Sequence, residues 1–392
     1  MKSSAKAFNL GVLVMTAAFI AGAATGPRAQ AGALADFDKT TQLVTDKFYD
    51  RTMRGLPWAQ LVADTRAQIS DATPPAEMAA KLNGLLGQLH AAPTEFLLAT
   101  EPRYWALQSA FSGAIDGAPT CQMGAYFEPR DGHWFIAALL DSSAVKAGFL
   151  PGDEIVTPEF EPIQSLCARA PTLLVRRNPA LPAWEMTAPT TRASFQRSFY
   201  NASVASRAVL QSGDQSVGYF HLWAGTHDDF KSALSSAVLG LSRAVNAFVL
   251  DLRGGVGGPA TSDSASYLDV FTSGYSGPLV AIIDERTAGG KEALAYLLKQ
   301  RKRATLVGTR TAGAYLVGQT FEIAVGQSVL YLAVDKPAPL APPLPSNDPL
   351  APIEGQGVEP DIVVEMDLRY SQGEDPQLVK ALKTAAALGR SH

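Results

Sequence analysis

Ile282-Ile283-Asp284-Glu285-Arg286-Thr287-Ala288-Gly289-Gly290-Lys291-Glu292 reads as a buried strand, a tight turn and the start of a helix. Upstream, Phe248-Val249-Leu250-Asp251-Leu252-Arg253 runs into Gly254-Gly255-Val256-Gly257-Gly258, a second strand ending in a glycine-rich turn. Downstream, Ala304-Thr305-Leu306-Val307-Gly308 leads into Thr309-Arg310-Thr311-Ala312-Gly313-Ala314. Val217 to Leu222 is a further strand, and Asp228 to Leu241 a helix that turns Phe230, Leu234, Val238 and Leu241 to one face. Strands alternating with helices predict βα crossover units around a largely buried sheet. A Pro-rich loop from Lys336 to Pro352 precedes Ile353-Glu354-Gly355-Gln356-Gly357-Val358-Glu359-Pro360-Asp361-Ile362.

With 392 residues the chain has room for two or three modules. Its 47% apolar and 18% charged residues are those of a globular protein. The net charge of −4 includes no dominant basic block, and the run Lys299 to Arg303 reads as a solvated helix end, so no nucleic-acid partner is expected. Gly254 to Gly258 lacks the Lys-Ser/Thr ending of a phosphate loop, so no nucleotide is expected. No metal-ligand cluster or cofactor motif stands out. Lys2 and Lys6, an apolar stretch from Leu10 to Ala24 and Ala29-Gln30-Ala31 read as a secretory signal peptide over residues 1–31. Cleavage is expected after Ala31, with Ala35 the second choice, and the mature protein is expected in the periplasm or outside the cell. The two cysteines, Cys121 and Cys167, are a disulfide candidate in that setting; two buried free thiols are the alternative.

The three strand–turn segments and the run Gly355-x-Gly-Val-Glu-Pro-Asp resemble the C-terminal processing (tail-specific) serine peptidase family. Met123-Gly124-Ala125-Tyr126-Phe127, Trp134 to Leu139 and Ser143-Ala144-Val145-Lys146-Ala147-Gly148-Phe149-Leu150-Pro151-Gly152-Asp153-Glu154-Ile155-Val156 resemble a bacterial, circularly permuted PDZ domain. The resemblance implies a multidomain α/β chain. Its parts are an N-terminal helical region (36–113), a PDZ domain (119–188) closed by a helix over 163–169, a ClpP/crotonase-like protease core (193–370), and a C-terminal helix and tail (374–392). A PDZ domain binds an extended peptide at a sheet edge and holds its carboxylate on loop amides. The matching residues are Met123, Gly124, Ala125 and Tyr126. In that fold Cys121 and Cys167 fall on neighbouring elements, the loop and the closing helix.

The family's pattern at the second turn is Thr/Ser-x-Ser-Ala/Gly-x-Glu, and its middle Ser is the nucleophile. Here that position is Gly289. The Lys that serves as base in the main branch falls on Ala314, and the acidic helper between them on Gln300. The Ser-His pair of the other branch falls on Ala92 and Pro93, while His90 reads as a surface or packing residue. A serine peptidase needs a nucleophile, a base and oxyanion donors. Only backbone amides at Gly257 and Gly290 remain for the third role. Lys291 is a candidate for a charge beside the pocket, with a solvent-pointing helix Lys the bland reading. Thr287 would need a shifted turn to replace the nucleophile, and Ser262, Ser264 and Ser266 read as helix-start residues. The sequence thus favours an exported pseudo-peptidase that binds peptide or protein C-termini. The alternatives are an active endopeptidase with a non-standard site, and a structural partner, as a homo-oligomer or beside an active relative.

Overall fold

The computed structural model describes residues 32–163, 165–167, 171–258, 263–324, 326–337 and 353–391. The expected signal peptide and most of the Pro-rich loop lie outside them. In chain order the helices are α1 (Ala33–Lys47), α2 (Trp58–Arg66), α3 (Pro75–Gly87), α4 (Pro102–Phe111), α5 (Ser142–Lys146), α6 (Phe195–Ser206), α7 (Asp228–Leu241), α8 (Asp263–Thr272), α9 (Gly289–Gln300) and α10 (Pro376–Arg390). The strands are β1 (Thr94–Leu98), β2 (Thr120–Gln122), β3 (Ala125–Arg130), β4 (His133–Leu139), β5 (Glu154–Ile155), β6 (Thr172–Arg176), β7 (Trp184–Thr187), β8 (Thr191–Ala193), β9 (Ala208–Ser212), β10 (Gln215–His221), β11 (Ala247–Asp251), β12 (Leu279–Ile283), β13 (Thr305–Gly308), β14 (Val317–Ala324), β15 (Ser328–Asp335) and β16 (Ile362–Val363).

Ala-Phe-Val-Leu-Asp in β11 and Leu-Val-Ala-Ile-Ile in β12 are buried at every residue. Apart from Asp251 at the end of β11, these are apolar runs, which suit strands covered on both faces. They form the centre of a six-stranded sheet, ordered β16-β13-β12-β11-β10-β9, parallel except for the β9 edge. One face packs on α7, α8 and α9 through Phe230, Leu234, Phe271, Leu294 and Leu298. The other packs on α10, whose Ala381, Ala385 and Ala386 meet Val217, Val249 and Val280. The C-terminal helix is therefore the second cover of the core sheet and not an appendage to it.

The N-terminal region is not all helical. Thr94–Leu98 is a strand, paired antiparallel with β15 so that Phe96 lies opposite Leu330. Phe96, Leu330 and Leu332 share a core with Phe37, Val44, Leu82 and Leu86 of the helices. The β14–β15 hairpin, inside the range expected for the protease core, thus packs with the N-terminal module. A propensity argument misses this because β1 takes its partner from more than 200 residues away.

Residues 120–193 hold a five-stranded antiparallel sheet, ordered β3-β4-β5-β6-β7, beside the small β2–β8 pair. The helix expected over 163–169 is replaced, among the described residues, by a single 3₁₀ turn at Ser165–Cys167. Cys121 and Cys167 are disulfide-bonded, with Cα atoms 5.2 Å apart, tying β2 to that turn. The bridge closes a loop of 46 residues, so replacing both cysteines by Ser should cost about 2–4 kcal/mol of unfolding free energy. Urea denaturation checks this; an unchanged midpoint would show that the bridge does not constrain the unfolded chain.

Candidate active site

The turn between β12 and α9 is fixed by short-range polar contacts. Thr287 is wholly buried. Its hydroxyl donates to Leu252 O (3.1 Å) and accepts from the Asp284 amide (3.1 Å). That arrangement staples the turn to the end of β11 and removes Thr287 as a substitute nucleophile. Asp284 accepts from the Arg286 amide (3.1 Å) and side chain (2.8 Å). Burial alone would raise the Asp284 carboxyl, but the Arg286 and Arg253 guanidinium groups hold it below its usual range.

Gly289 opens α9 with φ +57, a backbone region that side-chain-bearing residues rarely adopt. A Cβ on it would stand 2.5 Å from Gly258 O. The Gly289 amide donates to Ala314 O (2.9 Å), so the two positions that the resemblance assigns to nucleophile and base are adjacent, and neither has a hydroxyl or amine. The amides expected to form an oxyanion site are not an open pair. Gly290 N–H donates to Gly258 O (3.2 Å). A Cβ on Gly257 would overlap Ala288 O. The two glycine turns interlock, and one satisfies the other.

Gln300 is the last residue of α9 and exposed, about 16 Å along the helix axis from Gly289 at 1.5 Å per residue. It is therefore no helper to this turn. His90 is exposed, and its carbonyl accepts from Arg54 (2.8 Å). Ser262 and the Ser264 side chain lie outside the described residues; Ser266 sits on α8. Glu292 binds the base-position loop. Its carboxylate accepts from the Thr311 hydroxyl, the Gly313 amide (2.7 Å) and the Ala314 amide (2.9 Å). Burial pushes its pKa up to about 7 against those three donors.

Lys291 does not point to solvent. It is 1% exposed. Its ammonium donates to Gly254 O and lies 3.4 Å from each of Leu222 O, Trp223 O and Arg253 O, at the ends of β10 and β11. Burial lowers its pKa to about 7, countered by Asp284 and Asp251. The amine thus sits among the carbonyls behind the glycine turn.

In front of the turn is a cleft of about 510 Å³. Ala92, Pro93, Gly255, Ala288 and Ala314 form one wall, and residues 126–130 of β3 the other. Three of the positions that the resemblance assigns to catalytic groups, Ala92, Pro93 and Ala314, line this cleft, and none has a side chain that could act as nucleophile or base. The salt bridges Glu128–Arg286 and Arg130–Glu285 (3.1 Å) join β3 to the β12–α9 turn. Met123 and Ala125 turn their side chains into the sheet's own core. Tyr126 packs on Phe195 and Phe199 of α6, and burial pushes its hydroxyl pKa up to about 12.

What sequence reading missed is the edge. β3 is the last strand of its sheet. Leu140 N–H donates to Gly124 O (2.7 Å), and Ala125 lies opposite Leu139. By antiparallel alternation the N–H and C=O of Ala125 and Phe127 then face outward. Pro129 ends that row of donors. The signal was present in Ala-Tyr-Phe-Glu-Pro, but only the pairing register shows which groups are free. Among the described residues no cluster of His, Cys, Asp or Glu could hold a metal ion.

Residues 260–364 match the family model described as Peptidase family S41. The chain is 26% identical over 261 residues to the carboxyl-terminal-processing protease of Synechocystis, covering 59% of this chain and 59% of that protein. It is 26% identical over 323 residues to the chloroplastic carboxyl-terminal-processing peptidase 2 of Arabidopsis thaliana, covering 72% of this chain and 61% of that one. It therefore spans about three-fifths of the length of these relatives. Mature CPAF, solved with lactacystin, superposes with a TM-score of 0.51 at 14% identity, covering 92% of this chain and 99% of that one; the likeness is one of fold. The chain carries a peptidase family S41 domain in a mixed α/β fold, and its homologues are C-terminal processing proteases.

Proposed function

We propose that this protein is an exported peptide-binding relative of the processing proteases, which captures polypeptide C-termini and does not cut them. The observation that carries the reading is Gly289. The nucleophile position has no side chain, a left-handed backbone and a carbonyl where a Cβ would stand. The neighbouring positions supply no substitute, since Thr287 is buried in structural hydrogen bonds and Ala314 has no base. Binding is supported by the cleft and by the outward-facing groups of Ala125 and Phe127 on the PDZ-like sheet, which an extended peptide can pair with. The loop before β3 supplies amides for the terminal carboxylate.

The mature protein should leave casein and tailed substrates intact while binding free-acid peptides with modest, on the order of micromolar, affinity, because a short peptide loses ordering entropy on binding. Amidating the peptide's C-terminus should weaken binding. Turnover blocked by a serine-directed inhibitor would overturn the first half. Equal affinity for free-acid and amidated peptides would overturn the second.

A further inference from the structure

A second sheet edge faces a second cavity. On the side away from β3, β4 gives Trp134 and Phe135 to β5. Ile136 then exchanges backbone bonds with Asp153 (2.9 Å) and Gly152 (2.8 Å). Ala137 is the extra residue of a bulge, because Tyr126 lies opposite Ala138 and Phe127 opposite Ile136. Beyond it no strand among the described residues accompanies β4 on that side. Leu140 N–H turns back to Gly124, so the N–H and C=O of Leu139 face away from β3. Ala137, Ala138 and Leu139 line a cavity of about 630 Å³, larger than the cleft, between this edge and the carboxyl ends of β10 to β12. Unpaired strand groups beside a cavity are a template for another strand.

The charges around the cavity indicate what enters. Its arginines are already paired: Arg253 with Asp251 and Asp375, Arg286 with Asp284 and Glu128, Arg130 with Glu285, Arg310 with Glu359. Glu365 and Glu374, both exposed on the C-terminal segment lining the cavity, have no ion pair among the described residues. The uncompensated charge is negative. Trp223 and Leu368 supply apolar wall.

We infer that this cavity, which adjoins the cleft at Tyr126, Arg130, Glu285 and Arg286, is a second peptide site that takes an internal extended segment carrying Lys or Arg by pairing it with Leu139. The site reads backbone and basic side chains, so it does not need a free C-terminus. That separates it from the capture proposed for the cleft.

The test uses peptides acetylated at the N-terminus and amidated at the C-terminus, with alternating Val and Lys, or Val and Glu. The Lys peptide should bind at least tenfold more tightly. Glu365→Lys combined with Glu374→Lys should abolish that preference and leave binding of free-acid peptides in the cleft unchanged. Leu139→Pro removes the outward N–H and should weaken the Lys peptide. Should that variant fail to fold, a benzophenone on the peptide should cross-link the wild-type protein at 137–139 or 365–375. Equal affinity for the two peptides, a preference that survives the double charge reversal, or cross-links confined to 92–103 and 127–129, which line only the cleft, would each overturn the site.

Discussion

Gly289→Ser should give a protein that still does not cleave polypeptides and that unfolds more easily, by about 1–3 kcal/mol for the backbone strain alone. Two costs act together. A residue with a Cβ at φ +57 sits in a sparsely populated region. The Cβ also meets Gly258 O at 2.5 Å, and that oxygen cannot retreat freely because it accepts from Gly290 N–H. The new hydroxyl would still have no base, since neither Ala314, whose carbonyl meets the Gly289 amide, nor Ala92 and Pro93 on the cleft wall has a basic side chain. Gly289→Ala should therefore lose as much stability as Gly289→Ser, the Cβ being common to both. Adding Ala314→Lys is the informative second step. It places an amine on the cleft wall beside residue 289. Thermal unfolding and casein turnover read the series. A Gly289→Ser protein as stable as wild type would show that the turn opens readily, and rapid cleavage by it would show a base that the structure does not place there.

The parallel core was legible because β11 and β12 are apolar runs and their turns are marked by glycine. Motif spacing alone assigned Gly289 and Ala314 to the nucleophile and base positions, and the structure sets the two side by side, the Gly289 amide on Ala314 O. Three things were not legible. The strand at Thr94–Leu98 exists only because β15 is beside it. The closing of the oxyanion turn depends on Gly258 O meeting Gly290 N–H, a contact between two loops that spacing cannot express. The place of Lys291 was open for a similar reason. At the first turn of an amphipathic helix a lysine reads as solvated, and only the arrival of four carbonyls from the segments that follow β10 and β11 gives it partners in the interior.

Lys291→Met should remove a pH dependence of stability that the wild type shows above neutrality. The native amine, with its pKa lowered by burial to about 7 from 10.5, sheds its proton well before the unfolded chain does. Between those values the unfolded state binds more protons, so stability rises with pH. From pH 7 to 9.5 the rise from this one group is about 3 kcal/mol at 1.36 kcal/mol per pKa unit. Glu292 is displaced in the other sense, from 4.5 up to about 7. Its contribution is lost as pH rises from 4.5 to 7, below the window that reports Lys291. Met matches the length of Lys but donates nothing, so Leu222, Trp223, Arg253 and Gly254 would lose a shared donor, each stranded carbonyl costing about 1–3 kcal/mol if water does not replace it. At low pH that loss is offset by removal of a buried ammonium; at high pH nothing offsets it. The gap between wild type and Lys291→Met should therefore widen steadily with pH, as read by urea unfolding at pH 7, 8 and 9.5. Parallel curves would mean that Lys291 stays charged throughout. The glycine turn would then be held by a permanent cation, and its four carbonyls, not the burial, would set the lysine's protonation.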